Sequence, residues 1–310
     1  MKKPIVVLTG PTAVGKTELS IQLAKVIGGE IISADSMQVY KHMDVGSAKI
    51  TPEEMDGVRH YLVDELEPFD EFHVVKFQEY AQKYLKQIYA YGKIPIIAGG
   101  TGFYIQALLN DIDFTEQESD STYRKELEAL AEEHGNQYLH DRLKKVDPES
   151  AEAIHPNNRK RVIRALEFYQ ETGRKISEHN AKEQMRTSPY NFAYFVLNDE
   201  RSHLYKRIDA RVDKMIEDGL EAEVRRLKEM GCTKDMVAMQ GIGYKEMLSY
   251  LDGGYSLEEA VYIIKRETRQ ITWFKRERDV IWLNKNEFDY KNEAILAYMI
   301  KILKEKAIIS

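Results

Sequence analysis

Short apolar, β-branched runs recur along the chain at Ile5–Thr9, Glu30–Ser33, Ile94–Ala98, Phe192–Leu197 and Val280–Leu283. Runs of this length and composition predict strands. Between most of them the apolar positions move to helical spacing, as in Thr17–Ile27 and Val74–Tyr91. The alternation of β and α predicts an α/β fold built on a parallel, doubly wound sheet with flanking helices. Ligands of such sheets bind at the carboxyl ends of the strands. Three predicted strand ends run into polar, glycine-rich or acidic sequence, at 10–17, 34–40 and 99–104, so chemistry is expected there.

From about Thr115 to Pro189 the pattern changes to strand-poor, highly charged sequence with helix candidates at Tyr123–His134, Asn136–Val146, Glu149–Ile154 and Asn158–Thr172. Asp147-Pro148, His155-Pro156 and Gly173 stand where helix boundaries belong. This predicts an inserted all-helical domain over 115–189 within a core made of 1–114 and 190–310. Further helical blocks, Arg201–Met230 and Leu257–Glu277, flank a glycine-rich link at Gln240–Tyr244.

Composition narrows this little. The 310 residues are 43% hydrophobic and 31% charged, with net charge -6, which speaks weakly against a polyanion partner because charge sums hide patches. A single cysteine, Cys232, rules out an internal disulfide and suits a reducing cytoplasm. No run approaches the roughly 18 apolar residues of a membrane span, and the apolar N-terminal run is too short for a signal peptide. We therefore expect a cytoplasmic protein with no membrane partner, and a monomer.

The stretch Gly10-Pro11-Thr12-Ala13-Val14-Gly15-Lys16-Thr17 fits G-x-x-x-x-G-K-[ST] between a buried strand and a helix. Its glycines let successive N–H groups point inward at a polyphosphate, and the helix start adds its positive end. Lys16 supplies a point charge, and the Thr17 hydroxyl is placed to touch Mg²⁺. A plain glycine turn is the alternative, and a nucleotide the default occupant.

Asp35, directly after a predicted strand, can hold Mg²⁺ through water, act as a general base, or cap the next helix. Ser36 and Gln38 add hydrogen-bonding groups. The run ending Ala98-Gly99-Gly100-Thr101 presents glycine where nucleotide hydrolases and kinases carry a metal-binding Asp. It is read as a bare backbone wall that something flat can approach, or as a tight turn. Arg207 and Arg211 lie one helical turn apart, able to close on a pyrophosphate or to pair with Asp213 or Glu217. Two basic clusters, Arg159-Lys160-Arg161 with Arg164, and Lys265, Arg266, Arg269, Lys275, Arg276 and Arg278, suit a nucleic-acid backbone or are solvated helix faces. Asn284-Lys285 followed by Glu287 matches the guanine-reading NKxD pattern of GTPases except at its last position, and carries almost no weight.

Taken together, GPTAVGKT, ADSMQVYKHMDVGSAK, IPIIAGGTGFYI, RIDARVDKMIEDGLEAEV, MQGIGYKE and TRQITWFKRE closely resemble the tRNA dimethylallyltransferase (tRNA isopentenyltransferase) family, bacterial type, over about residues 4–278. The resemblance implies a P-loop NTPase-like core whose loop, Gly10 to Thr17 with Arg207 and Arg211, grips dimethylallyl diphosphate rather than ATP, with Mg²⁺ near Thr17. It implies a dimethylallyl group carried to N6 of adenosine 37, next to the anticodon, in tRNAs reading codons that begin with U. Base and donor are expected to enter a channel from opposite ends.

An exocyclic adenine amine is a weak nucleophile, its lone pair being delocalised into the ring. By resemblance Asp35 takes its proton, Thr101 orients it, and Lys16 and Arg211 stabilise the departing diphosphate. Asp35, Ser36, Met37, Gln38 and Thr101 then contact the flipped base and its neighbours. Arg124, Arg159, Lys160, Arg161, Val162 and Ile163 contact the anticodon stem-loop. The rival readings are an ATP-dependent small-molecule kinase and a nucleotide-gated RNA-binding protein without transfer activity.

Overall fold

Six strands among the described residues form one all-parallel sheet in the order β3-β2-β4-β1-β5-β6. They are β1 (Lys3–Thr9), β2 (Gly29–Ser33), β3 (His60–Tyr61), β4 (Ile94–Gly99), β5 (Tyr190–Asn198) and β6 (Val280–Asn284). The structure is a computed structural model that describes residues 2–112, 121–184, 187–269 and 279–310. The five apolar runs read from the sequence are all strands. β3 escaped that reading because two residues carry no periodicity.

β1 is central, pairing with β4 on one side and β5 on the other. Its Ile5, Val6, Val7 and Leu8 are wholly buried, as a parallel strand covered on both faces requires. Helix α1 (Lys16–Ile27) lays Leu19, Ile21, Leu23 and Ala24 against the sheet and stops at Gly28, whose φ of 65° is the left-handed geometry glycine adopts cheaply. α2 (Pro52–Met55), α3 (Val74–Ala90) and α4 (Gly102–Leu109) complete the first half. Right-handed βα connections bring every strand's carboxyl end to one edge.

The chain divides into two compact units, Met1–Leu108 with Pro189–Ser310, and Leu109–Ser188. The second contains α5 (Ser121–His134), α6 (Asn136–Val146), α7 (Pro148–Ala153), α8 (Arg159–Thr172) and α9 (Ile176–Gln184). Its core is Leu127, Leu139, Leu143, Val162, Ile163 and Leu166. Buried Asp147 caps α7 through the Ser150 N–H and also accepts from the Ser177 N–H and hydroxyl, so one carboxylate fixes the starts of both α7 and α9. α9 was not anticipated, its apolar periodicity being weak.

After β5 come α10 (Arg201–Glu217), α11 (Leu220–Glu229), α12 (Tyr244–Leu251), α13 (Leu257–Thr268) and, after β6, α14 (Asn292–Glu305). The helical block expected from Arg201 to Met230 consists of α10 and α11, which part at Gly219, with φ 97°. α13 starts on a capping box between Ser256 and Glu259. Residues 270–278, which hold the rest of its expected span to Glu277 and the cations Lys275, Arg276 and Arg278, lie outside the described residues.

Candidate active site

The phosphate loop follows β1 at the sheet's carboxyl edge. The Thr9 hydroxyl donates to the Gly99 carbonyl at 2.8 Å, tying the ends of β1 and β4 together. Gly10 has φ 151°, and a Cβ there would stand 2.2 Å from the Leu197 carbonyl oxygen, so β5 leaves room for glycine only. Ala13 (φ 61°) and Gly15 (φ 101°) are left-handed, and α1 begins at Lys16 without a side-chain cap. Its first N–H groups are left for an anion, at the positive end of the helix. Lys16 Nζ donates to the carbonyls of Gly10 (2.9 Å) and Pro11 (2.8 Å). Burial, reinforced by the nearby Arg211 and opposed by Asp35, lowers the Lys16 pKa to about 8.

Asp35 Oδ1 accepts the N–H groups of Met37 (2.8 Å) and Gln38 (3.3 Å). The segment after Asp35 is a turn and not a helix, so Oδ1 fixes a turn where a helix cap was expected, while Oδ2 has no hydrogen-bond partner among the described residues. The Ala34 N–H donates to Ala98, and the Thr101 N–H donates to Ala34, so backbone bonds lock the segments carrying Asp35 and Thr101 side by side. The backbone wall expected at Gly99 also packs against its own sheet. A Cβ at Gly99 would lie 2.4 Å from the Ala34 backbone, so the neighbouring segment requires glycine there, and Gly99 and Gly100 also line the small cavity beneath the loop. Only Gly100, with no atom within 4 Å of a built Cβ, is open.

Arg207 and Arg211 project from α10. Neither pairs with Asp213 or Glu217; Asp213 is taken by Lys265 at 2.6 Å. Arg207 lies 3.9 Å from Asp199, and Arg211 Nη2 donates to the Ser47 carbonyl at 3.3 Å, leaving its buried Nε unpartnered. The 43–48 loop that offers this carbonyl is held by Glu223, a buried residue that sequence reasoning missed. Glu223 Oε2 accepts the N–H groups of Asp44 and Val45 (2.8 Å each), and Oε1 accepts Gly46 N–H (3.0 Å) and the Tyr244 hydroxyl (2.8 Å).

Three cavities open around these residues. The largest, about 550 Å³, is lined by the polar Asp35, Ser36, Thr101 and Arg211 and by Phe72, Tyr104, Met215 and Ile264. Met37 and Thr12 also line it. A small one of about 120 Å³ beneath the loop is lined by Lys16, Thr17, Ser33, Asp35, Gln38, His60 and Arg211. The third, about 430 Å³, is lined by Ala13, Gly15, Lys16, Thr17, Arg207 and Arg211. Arg211 lines all three. Gln38 faces the small cavity, donating to the Ala48 carbonyl at 3.1 Å.

The helical unit corrects part of the expected RNA-binding set. Val162 and Ile163 are core residues, 0% and 2% exposed, so their side chains cannot reach a nucleic acid; they occupy the inward face of α8. Arg124 forks onto the buried Glu167, Nε to Oε1 at 2.9 Å and Nη2 to Oε2 at 2.7 Å, a structural pair within the unit. Lys160 and Arg161 are exposed and Arg159 half-buried. These cations crowd the positive end of α8, whose first turn holds no acid, an unfavourable arrangement that a bound anion relieves. In the second cluster Lys265, Arg266 and Arg269 pair with Asp213, Glu267 and Asp209, so these three are already neutralised. No group of three or more metal-ligating His, Cys, Asp or Glu occurs among the described residues.

A parallel sheet with a phosphate loop, and an acid and a hydroxyl lining a cavity beside it, defines a P-loop NTPase-like enzyme. The IPP transferase family model matches residues 38–277, and the chain belongs to that family. It is 62% identical over 313 residues to the tRNA dimethylallyltransferase of Lachnoclostridium phytofermentans, covering 99% of each chain. It is 51% identical over 296 residues to that of Acetivibrio thermocellus, covering 94% of this chain and 95% of the relative. Its structure resembles the crystal structure of the tRNA isopentenylpyrophosphate transferase from Bacillus halodurans (TM-score 0.73, 44% identity, 99% and 98% of the two chains). It also resembles a eukaryotic dimethylallyltransferase acting on tRNA (TM-score 0.81, 30% identity, 98% and 80% covered).

Proposed function

We propose that the protein transfers a dimethylallyl group from dimethylallyl diphosphate to N6 of adenosine 37 in tRNAs reading UNN codons, releasing diphosphate, as a monomer in the cytoplasm. The observation that carries this is the position of Arg211. It borders both the cavity holding Asp35 and Thr101 and the one formed by the phosphate loop, so a donor diphosphate and an acceptor amine would meet across one guanidinium.

In this reading the adenine leaves its stack, at a cost of a few kcal/mol, and enters the larger cavity. The Thr101 hydroxyl orients N6, and Asp35, its Oδ1 fixed by two N–H groups, accepts the departing proton on Oδ2. N6 bonds to C1 of the allylic chain as the C1–O bond breaks. Charge growing on the diphosphate is met by the loop N–H groups, Lys16, Arg211 and Arg207. Met215, Ile264, Phe72 and Tyr104 offer the hydrocarbon a dry wall. Thr17 is exposed and its hydroxyl has no hydrogen-bond partner among the described residues, so it is the residue that would hold Mg²⁺ beside the diphosphate. When bound, the ion would neutralise leaving-group charge. Arg159, Lys160 and Arg161 in the helical unit would hold tRNA phosphates.

Mass analysis of nucleosides from unmodified tRNA treated with the protein and dimethylallyl diphosphate tests the proposal. N6-isopentenyladenosine is expected. Phosphoryl transfer from ATP to a metabolite, with the tRNA unaltered, would replace this reading by the kinase one.

A further inference from the structure

We infer that Lys285 is a positioning residue of the phosphate loop, holding the Val14–Gly15 peptide so that the Gly15 N–H is aimed at the donor's diphosphate. Lys285 stands directly after edge strand β6, two strands from β1, yet its side chain reaches back under β5's end to the loop. Its Nζ donates to the Val14 carbonyl at 3.2 Å. A Cβ built on Gly15 would lie 3.5 Å from that Nζ and 3.7 Å from Arg207 Nη2, so two cations flank this one peptide.

In a trans peptide the carbonyl and the N–H point in opposite directions. A cation fastened to the Val14 oxygen therefore turns the Gly15 N–H the other way and polarises it as a donor. Gly15 itself, with φ 101° and no side chain, has little of its own to resist rotation.

The lysine's circumstances are those of a placed group. It is 8% exposed and forms no ion pair with the described residues. Burial and the neighbouring Arg207 lower its pKa, while Asp199 and Glu18 oppose the shift. A buried ammonium with one carbonyl partner is a net cost to folding unless the position serves a ligand. The neighbouring motif residues play no reader's role: Asn284 is tied to Asn198 (3.0 Å) and to Glu287 (2.9 Å).

This inference rests on the proposed function, and its test separates the two. Inorganic pyrophosphate binding to the full-length protein is measured by calorimetry for wild type, Lys285→Met, which keeps the stem, and Lys285→Arg, which keeps the charge. KM and kcat for dimethylallyl diphosphate are measured alongside. Loss of one charge-assisted bond predicts pyrophosphate binding about tenfold weaker in the Met variant and largely restored in the Arg variant. KM should rise in step with kcat nearly unchanged, because the Gly15 N–H serves bound donor and transition state alike. Equal pyrophosphate affinity in wild type and Lys285→Met overturns the inference, as does an equal loss in both variants with a collapsed melting temperature. Failure of wild type itself to bind pyrophosphate overturns the assignment of the loop, and this inference with it.

Discussion

Raising the pH above 8 should loosen the grip on the donor, because Lys16 loses its proton there. Its ammonium sits inside the loop on two carbonyls, desolvated and facing Arg211, and its pKa falls to about 8. A diphosphate in the loop favours the charged form, lifting the pKa toward or beyond the ordinary lysine value of about 10.4. Binding then takes up a proton between those two limits. The sign follows: the lowered pKa of the free protein makes the neutral form accumulate above pH 8, and that form must be recharged before it can hold the anion. At about pH 9 roughly a tenth of the free protein carries the charge, so the apparent Kd should be about tenfold weaker than near pH 7, a loss of about 1.4 kcal/mol. Calorimetric titration with dimethylallyl diphosphate from about pH 7 to about 9.5, in buffers of different ionisation enthalpy, reads both affinity and proton uptake. Lys16→Arg, which stays charged, should give a flatter profile whatever its absolute affinity. A wild-type Kd that is constant across the range, with no proton uptake, would refute the reasoning.

Asp35→Asn retains an oxygen for the Met37 and Gln38 N–H groups, so stability and tRNA affinity should hold while turnover falls by roughly 10² to 10⁴; a parallel loss of tRNA binding would make Asp35 structural. Glu223→Ala strands three N–H groups and a tyrosine hydroxyl, and chemical denaturation should register a loss of about 3 kcal/mol or more, with a raised donor KM as Arg211 loses its Ser47 anchor. A loss under about 1 kcal/mol would mean the 43–48 loop is held by other means. Neutralising Arg159 and Arg161 should flatten the dependence of log K for tRNA on log salt by slightly under one unit per lost phosphate contact. An unchanged slope would assign both arginines to solvent.

The sheet was legible because its strands are apolar without alternation and the loops after them are chemically distinctive. The phosphate loop, Asp35 and Thr101 could be named because each directly follows a strand, and strand ends of a parallel sheet converge. What stayed hidden depends on tertiary neighbours. Glu223 reads as one more acid on a charged helix until the 43–48 loop is folded against it, and Lys285 stood in a motif discounted for another purpose. The inward turn of Val162 and Ile163 was readable from α8's own periodicity, and matching a whole block rather than its exposed positions obscured it. Gly99 was singled out for one neighbour and has two, because a strand end's approach to its own sheet and to a cavity leave the same residue in the sequence.

The residues that line the largest cavity are held in two different ways. Asp35 and Thr101 stand on segments knitted by main-chain bonds at Ala34, whereas Met215 and Ile264 line the cavity as side chains on α10 and α13. An engineer wishing to admit a longer or bulkier hydrocarbon can therefore retailor α10 and α13 residue by residue, leaving the reacting groups where the sheet has set them.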